Sequence, residues 1–140
     1  MISVTRLDLQ DAGILIEGAA AKAGEIGVPM CIAIADEGGN LIAFSRMDGG
    51  KVTSSTIAID KAFTAAAARK ATHDYGAASQ PGAPAYGIAS AIGGRLMVVG
   101  GGLPVVAHGE VVGGIGVSSG TPDQDRAVAQ AGIDAFLKQI

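Results

Sequence analysis

The chain has 140 residues, of which 49% are hydrophobic and 16% are charged, and its formal net charge is -3 at pH 7. This composition excludes an intrinsically disordered chain, and the length suits a single domain, 1–140, with its own hydrophobic core. The basic residues form no stripe, which argues against a nucleic-acid partner. The charges in MISVTRLDLQDAG and the lack of a long uncharged apolar run predict a cytoplasmic protein without membrane contact.

The first third of the sequence predicts one helix followed by a hairpin. Apolar residues recur at helical spacing from Ala12 to Ile26, after Asp8 and before Gly27, which are typical start and stop signals. The apolar run MCIAIAD is then joined to LIAFSR through a turn that contains two glycines. Two such runs around a Gly-Gly turn predict a β-hairpin.

The rest of the sequence predicts a second helix, a loop, three strands and a last helix. Thr53 or Ser54 is expected to cap a second helix that continues to about Lys70, and THDYGAASQPGAPAYG, residues 72–87, predicts an ordered loop or a short helix. Three apolar segments, GRLMVVGG, LPVVAH and EVVGGIGVS, then predict three strands. TPDQ, which begins at Thr121, has the pattern of a capping box and predicts the last helix. The fold class that follows is α/β (α+β), a largely antiparallel five-stranded sheet flanked by helices.

The stretch GVSSG, Gly116 to Gly120, fits the G-x-S-x-G pattern of a nucleophilic serine. The hydrolases that use this pattern need an acid and then a histidine downstream, whereas His73 and His108 both precede Ser118. The sequence therefore disfavours a serine hydrolase. We expect Ser118 to lie at a strand-to-helix turn, with at most a hydroxyl that faces a ligand.

The same two histidines and the single cysteine, Cys31, have no spacing typical of zinc ligands, so no metal ion site is predicted. A haem iron requires only one histidine as an axial ligand, and either His73 or His108 can supply it. The alternatives are structural: His73 as a histidine favoured near a helix C-terminus, and His108 as an exposed turn residue.

Four charged residues are further candidates for chemistry. Asp36 and Arg46 lie near strand ends, and Asp60 and Lys61 are adjacent in the second predicted helix. The first interpretation is structural: turn chemistry with a surface ion pair for Asp36 and Arg46, and a solvated helix face for Asp60 and Lys61.

Three long segments together resemble the GlcG/HbpS family of small haem-binding-like domains. The most specific parts are the D-x-G-G hairpin with R-M-D after it, K-A-x-T-A from Lys61 to Ala65, and G-G-L-P followed by G-x-G-V-S-x-G-x-x-x-Q-D. The resemblance extends from about Leu7 to Phe136. Ser119 stands where many members have glycine, and Arg126 stands where an acidic residue is common.

This resemblance implies a profilin-like fold and assembly into dimers, tetramers or octamers. It also implies a small-molecule ligand, because some members bind or degrade haem and a related domain is fused to corrinoid adenosyltransferases. The fold is shared more widely than the function in such a family.

Two functional hypotheses follow, beside a third in which the chain is an oligomeric scaffold without chemistry. The first is a haem-binding or haem-handling protein that uses His73 or His108. The second is a cofactor-free isomerase, hydratase or lyase that acts on a small catabolic intermediate in a pocket at a subunit interface. Its predicted catalytic residues are His73, Arg46, Lys61 and Asp60. The residues predicted to line the ligand pocket are Asp36, Thr64, Gly102, Pro104, Ser118 and Ser119.

Overall fold

The structure is a computed structural model that describes residues 1–140. Its elements in chain order are α1 (Leu9–Ile26), β1 (Cys31–Asp36), β2 (Leu41–Arg46), α2 (Thr53–Ala68), α3 (Thr72–Ala78), a 3-10 turn (Ile88–Ser90), α4 (Ala91–Gly94), β3 (Gly102–Ala107), β4 (Glu110–Ser118) and α5 (Pro122–Leu137).

The first and last helices begin and end where the sequence predicts. Asp8 caps α1 in a capping box with Asp11, and Gly27 ends the helix with a left-handed φ of 72°. Thr121 caps α5 in a second capping box, with Pro122 at the first helical position. These ends are set by residues close together in the sequence, which is why they can be read from it.

The start of α2 differs from the prediction. Thr53 and Ser54 both lie inside the helix, and the residue before it is Val52, which already has helical angles and makes no side-chain capping bond. A valine has no side-chain acceptor, so the first amides of α2 receive none. The helix ends at Ala68, and Arg69 follows with a φ of 55°.

The four strands form one antiparallel sheet in the order β2-β1-β4-β3. The turns between β1 and β2 and between β3 and β4 lie at the same end of the strands, which we call the hairpin end. We call the opposite end of the strands the helix end, because α2 and α5 begin there. Cys31, Arg46, Ser118 and Gly102 all lie at the helix end. Cys31 pairs with both Arg46 and Ser118, and Gly102 pairs with Gly116.

The two faces of the sheet carry side chains of different size. Helices α1 and α5 cover the face with the large residues, such as Ile32, Ile34 and Ile115, and this layer is the larger core cluster. Helix α2 covers the other face, where Ala33 and Ala35 lie against an alanine stripe of the helix. Alternation along the strands separates the two sets.

Glycines in β4 let α2 lie directly on the sheet. A Cβ atom at Gly116 would overlap the carbonyl oxygen of Ala58 and the amide of Ala62, and one at Gly114 would lie 2.6 Å from the Ala62 oxygen. The helix backbone therefore occupies space that side chains would fill in an ordinary strand.

The predicted fifth strand is wrong, because GRLMVVGG does not pair with the sheet. The side chain of Thr64 in α2 contacts its backbone instead: the amide of Met97 donates to Thr64 Oγ1 (3.0 Å), and the carbonyl oxygen of Arg95 lies 3.1 Å from the same hydroxyl. Ile92, Gly93 and Gly94 all have positive φ, which further breaks an extended run. The sheet thus has four strands, and the profilin-like assignment stays a prediction.

None of the helices combines the length and the apolar character that a bilayer crossing demands.

Candidate functional site

The helix end holds a buried ion pair between α2 and α5. Lys61 Nζ donates to Asp125 Oδ2 (3.0 Å) and to the carbonyl oxygen of Val117 (2.9 Å), and its side chain is 1% exposed. The second carboxylate oxygen of Asp125 accepts from the amide of Gly120 (2.9 Å). The pair therefore joins α2, the last residues of β4 and the first turn of α5.

Burial dominates the electrostatics of this pair. Desolvation lowers the pKa of Lys61 and raises the pKa of Asp125, and in each case the partner's charge opposes the shift. The Lys61 ammonium has no access to solvent, and both of its bonds are made inside the protein. It therefore suits a structural contact between α2 and α5 better than a contact with a substrate.

His73 lies beside Gly100 at the same end of the sheet. A Cβ atom at Gly100 would lie 3.5 Å from His73 Cβ and 3.2 Å from Arg126 Cδ, so both side chains pack against this glycine. The imidazole is 30% exposed, and its Nε2 is 3.6 Å from Asp74 Oδ1. Its Nδ1 is buried and has no hydrogen-bond partner.

A groove of about 300 Å³ opens next to Arg126. Besides this arginine it is lined by the apolar side chains of Leu103 and Ala127, with Asp123 and Gln130 at its polar side. The lining is therefore mixed, with two apolar residues and three polar or charged ones.

Arg46 and Ser118 lie further along the helix end. Both pair with Cys31, on opposite sides of β1, so all three side chains point to the face that α2 covers. Arg46 is exposed and forms no ion pair. Ser119 adopts a φ of 117°, a region that favours glycine, and its Oγ accepts from the amide of Lys51 (3.0 Å).

Asp60 and Thr64 hold the segment that precedes β3. Arg95 Nε donates to Asp60 Oδ1 (2.9 Å), and the Arg95 guanidinium lies 4.0 Å from the centroid of the Phe63 ring. Thr64 is buried and donates to the Asp60 carbonyl oxygen (2.8 Å) while it accepts from Met97. Both residues are therefore engaged with the chain itself.

The two predicted pocket residues of β3 are occupied by structural contacts. Gly102 packs closely against α2 and α3. A Cβ atom at this position would lie 2.6 Å from Thr72 Cγ2 and 2.7 Å from the carbonyl oxygen of Lys61. Pro104 faces Gly114 on the outer strand of the sheet, where a missing amide costs no ladder bond.

Asp36 and His108 lie at the hairpin end, away from the other candidates. Asp36 Oδ1 accepts from the amides of Gly38 (2.9 Å) and Asn40 (3.0 Å), which closes the β1–β2 turn. His108 is exposed in the β3–β4 turn with a φ of 51°, beside a small groove of about 150 Å³.

The structure thus gathers Arg46, Ser118, Ser119 and Gly102 at the helix end, with His73 at its far corner, and separates Asp36 and His108 from them. Sequence reasoning missed Asp125 as the partner of Lys61. Two signals were available. Lys61 lies between Ala58 and Ala65 on the helix face that packs on the sheet, and a buried lysine needs an acceptor. Asp125 is the last residue of the motif G-x-G-V-S-x-G-x-x-x-Q-D.

The chain belongs to the HbpS-like family, since residues 7–134 match the family described as haem degrading protein HbpS-like. It is 41% identical over 133 residues to an uncharacterized 15.0 kDa protein in the dhaT-dhaS intergenic region of Citrobacter freundii, and the alignment covers 95% of this chain and 94% of that protein.

Two solved structures extend the comparison. The Klebsiella pneumoniae protein ORFY superimposes with a TM-score of 0.95 at 36% identity, covering 98% of this chain and 94% of that one. The PduOC:heme complex superimposes with a TM-score of 0.89 at 35% identity, covering 94% of this chain and 95% of that one.

Proposed function

We propose that this protein binds haem and that His73 is an axial ligand of the iron. The observation that carries the proposal is the exposed side of the imidazole: the ring is 30% exposed, and its Nε2 meets only Asp74, at 3.6 Å, which is too long for a hydrogen bond. Nε2 is therefore free to take a partner, whereas Nδ1 is buried and out of reach of a molecule that binds at the surface. The family description and the haem complex of PduOC support haem as that partner.

The surroundings of His73 have the chemistry that haem needs. Arg126 lies against the same glycine and can pair with a propionate carboxylate, and Leu103 and Ala127 offer apolar surface to the porphyrin. Haem, when bound, supplies an iron centre for redox and ligand chemistry. His108 meets the ligand requirement less well, because it lies exposed in a turn at the opposite end of the sheet.

A second copy of the chain is the proposed cover of this site. No residue from His73 to Arg95 is buried, and the stretch from Tyr75 to Gly94 has no charged side chain. Tyr86 is 70% exposed and Ile92 is 56% exposed. An ordered, uncharged and exposed segment of this length is typical of a surface that is covered on assembly. We therefore propose a homo-oligomer in which this segment lies at the interface.

The ligand assignment is tested by titrating hemin into purified wild-type protein, His73→Ala and His108→Ala. We expect a saturable Soret shift in the wild type and in His108→Ala, and an affinity weaker by about tenfold or more in His73→Ala. A wild type without a saturable shift would refute haem binding. Loss of the shift in His108→Ala alone would move the ligand to the hairpin end.

The assembly is tested by light scattering of the wild type and Ile92→Asp. Aspartate tolerates the left-handed backbone at residue 92, so the substitution adds a charge without disturbing the fold. We expect a lower mass for Ile92→Asp than for the wild type. A monomeric wild type, or an unchanged mass in the variant, would contradict an interface at this segment.

A cofactor-free enzyme remains the second candidate because Arg46 is charged, exposed and unpaired. Asp60 and Lys61 are engaged in ion pairs with Arg95 and Asp125, which leaves Arg46 and His73 as the predicted catalytic residues that are free to meet a substrate. Substrate screening by thermal shift, with Arg46→Gln as the negative control, tests this candidate.

A further inference from the structure

The N-terminus of α2 at the helix end has unused hydrogen-bond donors. The amides of Ser54 and Ser55 donate back to Lys51 and Val52, but the amides of Val52 and Thr53 donate to no group of the chain. In α5, which begins nearby, Thr121 and Gln124 form the capping box that α2 lacks. The free amides and the helix dipole give this point a partial positive charge.

Two hydroxyls that are also unpaired face the first turn of α2. Ser54 is 3% exposed and Ser118 is 6% exposed, yet neither side chain hydrogen-bonds to another protein group. Their position follows from the packing of α2 on β4: Gly114 contacts Ala62, and Gly116 contacts Ala58. Two residues further along the strand and one turn earlier in the helix, Ser118 is level with Ser54.

Two cations complete the cluster. Arg46 points to the same face as Ser118 through their common neighbour Cys31, and the Gly50 loop packs on both Arg46 and Cys31, because a Cβ atom at Gly50 would lie 3.3 Å from Arg46 Cγ and 3.4 Å from Cys31 Sγ. Lys51 follows in this loop. Neither cation forms an ion pair within the chain, although the positive charge of Lys51 also acts on the carboxylate of Asp125.

We propose that the N-terminus of α2 is a binding site for an oxyanion, the phosphate or carboxylate group of a small molecule. The amides of Val52 and Thr53 and the hydroxyls of Ser54 and Ser118 donate to the anion, and Arg46 and Lys51 balance its charge. Backbone amides at a helix N-terminus bind such groups well, and charged donors strengthen the bonds. Ser119 is a positioning residue, because its hydroxyl holds the amide of Lys51.

This site is distinct from the proposed haem site. Arg46 ends β2, whereas His73 and Gly100 lie beyond the start of β3, on the other side of β1 and β4. Three strand spacings of about 4.8 Å separate the two outer strands. The oxyanion proposal therefore does not depend on haem binding, and the two ligands can be tested one at a time.

The experiment follows the backbone amides by ¹H–¹⁵N NMR while inorganic phosphate, acetate or chloride is added at matched ionic strength. We expect saturable shifts at Val52 and Thr53 with phosphate, acetate or both, and none with chloride. The anion that saturates at the lower concentration identifies the group as phosphate or carboxylate.

Two variants and a matched control locate the binding. We expect Arg46→Gln to weaken the affinity by about tenfold and Ser118→Ala to weaken it by about threefold to tenfold. Arg69→Gln serves as the control, because Arg69 is an arginine at the other end of the same helix, far from the free amides. The proposal is overturned if neither anion gives saturable shifts at these amides, or if Arg69→Gln weakens binding as much as Arg46→Gln does.

Discussion

The two ends of the sheet differ in how completely their polar groups are paired. At the hairpin end, Arg6 donates to both carboxylate oxygens of Glu37 at 2.8 and 2.6 Å, and Asp36 Oδ1 accepts three bonds from its own turn. These bonds from Arg6 lower the pKa of Glu37. At the helix end, His73 Nδ1, the Ser118 hydroxyl and the Arg46 guanidinium have no partner in the chain.

This difference separates polar groups that the fold pairs from polar groups that stay open to a ligand. A turn that folds on itself satisfies its own donors and acceptors, as the Asp36 turn does at the hairpin end. The helix end pairs its buried charges, Lys61 and Asp125, but leaves the Arg46 guanidinium and the Ser118 hydroxyl unpaired. We therefore locate both proposed ligands at the helix end.

The largest expected effect comes from the buried ion pair. Lys61→Met leaves the carboxylate of Asp125 buried without its partner, and we expect the free energy of unfolding to fall by about 3–5 kcal/mol. Arg6→Ala removes the exposed pair at the hairpin end and should change stability little. Urea denaturation of both variants measures the contrast, and equal losses would contradict it.

The double variant Lys61→Met/Asp125→Leu sharpens this test. It removes both charges and keeps most of the volume, so we expect it to recover much of the stability that Lys61→Met loses. If the double variant were less stable than Lys61→Met, Asp125 would stabilise the fold through groups other than Lys61.

A smaller effect is expected where α2 touches the sheet. Gly116→Ala places a Cβ atom against the backbone of Ala58 and should destabilise the protein by about 1–3 kcal/mol. A Cβ atom at Gly13 in α1 would have no neighbour within 4 Å, so Gly13→Ala should stabilise by about 0.5–1 kcal/mol. Thermal unfolding of the two variants is the measurement, and a shift of the same sign in both would argue against close packing of α2.

The pH dependence of stability gives a further contrast. Because burial lowers the pKa of Lys61, the unfolded state binds its proton more tightly, and stability rises with pH between the lowered pKa and 10.5. Lys61→Met removes this contribution. We expect the difference in unfolding free energy between the wild type and Lys61→Met to grow between neutral pH and pH about 10. A difference that shrinks over this range would have the wrong sign for a buried ammonium.

The smallest effect is expected at Ser119. Ser119→Gly relaxes the backbone at a φ of 117° but removes the bond to the Lys51 amide, and we expect these changes to nearly cancel within about 0.5–1 kcal/mol. Alanine keeps the strain and loses the bond, so Ser119→Ala should be the less stable of the two. The opposite order in urea denaturation would show that the hydroxyl does not hold the loop.

The sequence predicts features that depend on contacts between near neighbours in the chain better than features that depend on contacts between distant residues. Asp8, Gly27 and Thr121 mark helix ends through bonds to near neighbours, so these ends could be predicted. The false fifth strand could not be detected, because Thr64 binds its backbone at Met97 from 33 positions away. The hydrophobic pattern of the segment does not distinguish burial under helices from pairing in a sheet.

The positions of the candidate site residues could also be predicted only in part, for the same reason. Arg46, Ser118 and Ser119 were expected near a ligand, and the register of β1 with its neighbours explains why they lie at one end. The partner of Lys61 lies 64 positions away and approaches only when α5 packs on the sheet. No local pattern indicates that contact.

The most direct test of haem binding at the helix end is chemical rescue of His73→Gly. The variant lacks the imidazole, and we expect it to lose the Soret shift that the wild type gives with hemin. Added imidazole should restore in His73→Gly the Soret band of the wild-type complex, beyond the change that imidazole produces with hemin alone. A variant that binds hemin as the wild type does, with no response to imidazole, would contradict the assignment of His73 as the ligand.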